Sequence, residues 1–166
     1  MKRVFRYGLL ALVLAVFFAL SAGAAAAEAS CEILGISSVT DMTCMFSGCY
    51  VLEKLDISGF NTSRVTSMNS MFENCRALTL LDLSDFQTDL VTDMYRMFFC
   101  MEKLQTIYAS DGFVIDALTE DADESMFWNC TALKGGAGTA YSEEHVDSAY
   151  AHVDGGPADP GYFTAK

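Results

Sequence analysis

The chain has 166 residues, room for one domain, and carries 22 acidic against 10 basic residues for a formal net charge of −12. So acidic a surface excludes nucleic acid and anionic lipid as partners, because both would repel it. An apolar content of 52% excludes a disordered chain of the low-hydrophobicity kind.

At the N-terminus, Lys2, Arg3 and Arg6 precede the apolar run Leu9–Leu20, and SAGAAAAEAS then supplies small residues for cleavage after Ala27 or Ala29. Basic, apolar and small-residue regions in this order form a secretory signal peptide, taken as residues 1–27. The uncharged stretch Gly8–Ala27 is long enough to span a bilayer, so a retained membrane anchor is the other reading. In both, the basic flank stays cytoplasmic and the rest is exported, secreted or held at the cell surface, touching membrane only through this segment. Residues 1–27 hold three cations and no anions, so the exported part is more acidic still, at −15. Residues 28–38 read as an N-terminal edge. Cys31 has Glu28, not a large aliphatic residue, three positions before it, which argues against a lipoprotein cysteine.

From Val39 the chain repeats. VTDMTCMFSGC begins at Val39, VTSMNSMFENC at Val65 and VTDMYRMFFCM at Val91, in steps of 26, and LEKLDISGFNTS at Leu52 returns as LTLLDLSDFQTD at Leu78. A distorted fourth copy, SMFWNCTAL, starts at Ser125, its Met-Phe pair displaced by 29. A fixed period of this size denotes stacked supersecondary units. Within one unit, Leu55 and Ile57 alternate with Lys54, Asp56 and Ser58, the period of a strand with one buried face. Val65, Met68, Met71, Phe72 and Cys75 then fall at steps of three and four, which predicts a short helix with Thr66 as N-cap and Thr40 and Thr92 in the same place. The expected fold is an α/β solenoid: a short leucine-rich-repeat stack with a parallel sheet on one face and short helices on the other. Residues 39–134 form three good copies and one degenerate copy. A fourth strand is missing, since Lys134-Gly135-Gly136 follows Leu133 and takes the chain out of the stack. Residues 135–166 then form a closing module.

The pattern LDLSxFxTxxVTxMxxMFxxCxxL resembles the BspA-like leucine-rich repeats of bacterial surface proteins, and the tail from Gly135 is similar to the module that closes arrays in that family. The resemblance covers roughly Val39–Lys166. It implies a secreted or surface-displayed, adhesin-like protein that binds host matrix or microbial proteins.

Cys49, Cys75 and Cys130 share one repeat slot that Met101 fills in the third copy, so they read as small apolar core residues. Cys31 and Cys44 stand outside that register and could pair in a disulfide that pins the first repeat. No CxxC occurs, and His145 and His152 are seven apart, so no metal site is expected. The Met pairs 42/45, 68/71 and 94/97 recur at core positions. The acidic stretch Glu120–Glu124 lacks the alternation and Gly of a calcium loop and reads as a solvated insertion. With no phosphate-binding loop and neither His in a Ser/His/Asp context, no cofactor and no enzymatic activity are expected.

Function is therefore sought on the outer face of the sheet. By register one ladder is Lys54, Leu80 and Thr106, a second is Asp56, Asp82 and Tyr108, and a third is Ser58, Ser84 and Ser110. Leu80 and Tyr108 are large for exposed positions and suit a protein interface. Asp56 and Asp82 repel one another and favour a basic partner or a cation. The alternative to recognition is a structural module that spaces or caps a larger surface assembly.

Overall fold

The computed structural model describes residues 28–30 and 39–166. The signal peptide read at residues 1–27 and most of the N-terminal edge, Cys31 included, lie outside the described residues. Among the described residues are five short strands: β1 (Glu28–Ser30), β2 (Lys54–Asp56), β3 (Leu80–Asp82), β4 (Thr106–Ala109) and β5 (Phe163–Ala165). β1 pairs with β2, and β3, β4 and β5 form a second sheet in that order, all pairings parallel. Glu28 lies opposite Lys54, and Leu80 opposite Thr106, each pair separated by one repeat period. The strands are short because Asp56 and Asp82 turn the chain: each carboxylate accepts the N–H of the serine two residues on, at 3.1 and 3.2 Å.

The expected helices do not form. No α-helix occurs among the described residues, and the single 3-10 turn is Ser148–Tyr150 in the closing module. Residues 68–75 are instead a run of turns. The N–H groups of Met71, Glu73 and Cys75 bond the carbonyls three residues back, at 3.1, 3.2 and 3.1 Å. Those of Met68, Ser70, Phe72 and Asn74 point out of the repeat and donate to Asp93, Tyr95, Met97 and Phe99 of the next one, at 2.8 to 3.0 Å. The same ladder links Met42, Cys44, Phe46 and Gly48 to Ser67, Asn69, Met71 and Glu73. A helix would spend these donors within itself. Here alternate donors are spent between repeats, which leaves few backbone groups unpaired. Left-handed backbone recurs at Cys44, Ser70, Arg96 and Ser125, and again at Gly48, Asn74, Cys100 and Asn129, and it interrupts any helix every fourth residue.

The spacing nevertheless places side chains inward. Met68, Met71, Phe72 and Cys75 have no exposed surface, nor do Leu78, Leu81, Leu83 and Phe86. Phe46, Phe72, Phe98 and Phe127 stack through the core with centroids 5.6, 6.0 and 5.3 Å apart and rings within 12° of parallel. Each buried phenyl contributes about 1.5–3 kcal/mol from burial alone. The threonines expected as N-caps bond between repeats as well. The Thr66 hydroxyl donates to the Thr40 carbonyl at 3.0 Å, Thr92 to Thr66 at 3.1 Å and Thr119 to Thr92 at 3.1 Å. Buried Thr88 both donates to the Val114 carbonyl (2.6 Å) and accepts the Val114 N–H (2.7 Å).

The sheet does not stop where the fourth copy fails. Lys134 still donates its N–H to Gln105, at 3.1 Å, before the chain leaves. Gly136, one stretched repeat after Ile107, is exposed and adds no side chain to the core beside Leu81 and Ile107. β5 takes that place: Phe163 lies opposite Ile107 and is buried. The departure needs glycine, because a Cβ on Gly135 would come within 2.2 Å of the Gly161 carbonyl oxygen and 2.5 Å of the Asp154 carboxylate.

Candidate binding face

Alternation along β3 and β4 turns Leu81 and Ile107 into the core and leaves Leu80, Asp82, Thr106 and Tyr108 on the other side. Leu80 is adjacent to Thr106, and Asp82 to Tyr108, with Thr164 of β5 next to Tyr108. Lys54, Asp56 and Ser58 are exposed, and Leu80 retains 44% of its surface. Asp82, Ser84, Thr106, Tyr108 and Ser110 are half-buried. The face is thus open at its β2 end and partly covered toward β5.

The three serines expected on this face are occupied by the fold. Ser58 and Ser84 donate their hydroxyls to Asp56 and Asp82, at 2.8 and 2.6 Å. Tyr108 replaces the aspartate in the next repeat, and the Ser110 hydroxyl donates to the Ser84 carbonyl instead, at 2.6 Å. Asp56 is held below the ordinary carboxylate range by the Ser58 hydroxyl and N–H. Burial alone would raise Asp82, but the ammonium of Lys166 and the Ser84 hydroxyl and N–H bring it below that range. Reciprocally, the Asp82 carboxylate raises Lys166. The Lys166 ammonium bonds Asp82 and stands 5.6 Å from the centre of the Tyr108 ring. Lys166 and Thr164 are members of this face that repeat register alone did not reveal. Beside them lies a shallow open depression of ≈ 710 Å³, bordered by Gln105, Thr106, Tyr108, Lys134, Gly136 and Thr164.

A family profile matches residues 16–139, that of the family described as "Mycoplasma protein of unknown function, DUF285". The chain belongs to this family. No curated protein and no solved structure matches it. The DUF285 match takes in the repeats through the fourth copy and stops short of β5, so Lys166 lies outside it.

Most of the other described residues with chemical potential in this DUF285 chain are occupied by the fold. Cys49, Cys75 and Cys130 are buried, and the Cys75 and Cys130 thiols donate to the carbonyls of Phe46 and Phe98 in the preceding repeats, at 3.1 and 2.9 Å. A hydrogen bond with Cys49, together with burial, pushes Cys75 well above the ordinary thiol range. Burial pushes Cys130 up to about 12. The Cys75 and Cys130 thiols therefore do not ionise at neutral pH, which makes these two poor nucleophiles. Cys44 is a free, exposed thiol, and the bridge expected between it and Cys31 is not described from Cys31's side. Its slot, held by Ser70 and Arg96 in the next two copies, has left-handed backbone, as does that of Cys100. His145 stacks on Tyr150 at 4.3 Å, and His152 is 4.0 Å from Asp159. Glu120, Asp121 and Glu124 are exposed, whereas Ala122 is buried and Asp123 accepts the N–H of Ser148 at 3.1 Å. Among the described residues no group of three His, Cys, Asp or Glu side chains is placed to hold a metal.

Proposed function

We propose that this chain is a non-enzymatic, exported or cell-surface leucine-rich-repeat solenoid of the BspA-like kind, which binds other proteins through the outer face of its sheet. The observation that carries the reading is the exposure of Leu80, diagonal to half-buried Tyr108, on a face that β5 and Lys166 cover only in part. Of the two, Tyr108 is of the residue type that most often anchors an interface, and Leu80 adds apolar area next to it. Membership of a family found in BspA-like surface proteins supports the surface location. The repeated core supports the solenoid: the same side chains are buried once per repeat period, and neighbouring units share backbone hydrogen bonds.

The test is capture from extracellular-matrix and cell-surface extracts, with each retained protein identified and its affinity measured. A chain with Leu80→Ala and Tyr108→Ala is expected to bind the identified partner more weakly by more than about 1 kcal/mol, with its fold intact. Unchanged affinity removes this face from consideration and favours a spacer role. Fractionation of the producing cells tests the location: recovery only from the cytoplasm contradicts export.

A further inference from the structure

We propose that the sheet face holds a site for a lysine or arginine side chain of a partner protein, built from Asp82 and Tyr108 and occupied in the unbound chain by its own Lys166. The inference rests on the reading of this face as a recognition surface and names the chemistry of its partner. Lys166 places its ammonium on Asp82 Oδ2 and beside the face of the Tyr108 ring. A carboxylate next to an aromatic ring is the pair of groups that receives an ammonium or guanidinium. The other carboxylate oxygen, Oδ1, accepts from the N–H and hydroxyl of Ser84, which orients the group and leaves Oδ2 for a cation.

One repeat earlier the same carboxylate arrangement recurs. Asp56 Oδ1 accepts the N–H and hydroxyl of Ser58, at 3.1 and 2.8 Å, the residue is exposed, and among the described residues no cation sits on it. The surface therefore presents two carboxylates at equivalent repeat positions, on β2 and β3 of the two sheets, one covered from within the chain and one open, with exposed Leu80 alongside. Charge complementarity selects a basic partner over an acidic one. The Lys166 side chain is 52% exposed and that of Asp82 34%, and an ion pair this open is weak enough for a competing cation to displace. Lys166 thus acts as a tethered competitor that lowers affinity without closing the face.

The test uses the full chain and a fluorescein-labelled decamer of alternating lysine and serine, read by fluorescence anisotropy at fixed salt, with a glutamate–serine decamer as the charge-reversed probe. Lys166→Ala and Lys166→Gln are both expected to tighten binding of the lysine decamer by about two- to fivefold, the factor set by loss of one exposed ion pair. In the Lys166→Ala background, Asp82→Asn is expected to weaken it again, while Asp116→Asn, an exposed residue elsewhere, changes the net charge equally and leaves affinity unchanged. Equal affinity of the wild type and both Lys166 variants overturns the occupancy. An Asp82→Asn effect no larger than that of Asp116→Asn, or no binding of the lysine decamer by any variant, overturns the site. A chain with Leu80→Ala and Tyr108→Ala that keeps its affinity for the decamer removes the face itself, a failure distinct from that of the Lys166 variants alone.

Discussion

The repeats and the closing module solve one problem, the satisfaction of buried backbone, by different means. In residues 39–134 the backbone does most of the work, helped by the hydroxyls of Thr66, Thr88, Thr92 and Thr119. Alternate N–H groups from Met42 to Asn74 reach carbonyls of the next repeat, and the side chains between them are free to be whatever fills the core. In the closing module side chains do it. Asp154 accepts from the N–H groups of Ala137, Thr139 and Gly156 (each 2.9 Å) and from the Thr139 hydroxyl (2.7 Å). The Tyr162 hydroxyl accepts from Ser142 and donates to the His145 carbonyl, both at 3.0 Å. The repeats therefore tolerate Cys, Ser or Arg in one slot, whereas the module depends on single residues with no copy elsewhere.

That contrast can be broken experimentally, and the largest effect is expected in the stack. Phe72→Ala opens a cavity between Phe46 and Phe98 and should cost about 3–5 kcal/mol, seen as a lower midpoint in urea denaturation. Gly135→Ala drives a methyl group against the backbone of Gly161 and should cost about 1–3 kcal/mol, unfolding the module before the repeats if the two regions are separable.

Acid sharpens the comparison further. Burial would raise Asp154, but the N–H and hydroxyl of Thr139 and the N–H groups of Gly156 and Gly161 hold it far below the usual carboxylate range. A carboxylate with a depressed folded value adds stability that is fully present above the unfolded pKa, about 3.9, and is lost as pH falls through the folded value. Thermal melts should therefore weaken below about pH 4 in the wild type, and Asp154→Asn should flatten that slope. The smallest effect is on the outer face, where Leu80→Ala should shift stability by less than about 0.5 kcal/mol in the same melts.

Much of this was legible in the sequence, but unevenly. The three-and-four spacing of Met68, Met71, Phe72 and Cys75 identifies which side chains go inside, because a helix and a run of turns both return to one face at those steps. It does not identify the conformation. That is decided by left-handed backbone at Ser70 and Asn74 and by hydrogen-bond partners in the next repeat, neither of which a local pattern reports. The strand ladders were readable from register, yet the occupation of Ser58, Ser84 and Ser110 by their own neighbourhood was not. β5 was hidden for a related reason: Phe163 pairs with Ile107 from the far end of the closing module, outside the repeat period. The visible trace was the missing fourth strand at Lys134-Gly135-Gly136. Lys166 reaches Asp82 only because that strand returns.

The segments after each Val-Thr are turns bonded between repeats and not helices. Nuclear Overhauser contacts and carbon chemical shifts over residues 65–75 test this directly. Cross-repeat contacts from the Phe72 N–H to Met97, with non-helical shifts at Ser70 and Asn74, are the expected result. Continuous helical shifts across residues 66–75, with Met68-to-Phe72 helical contacts and none to Met97, would contradict it.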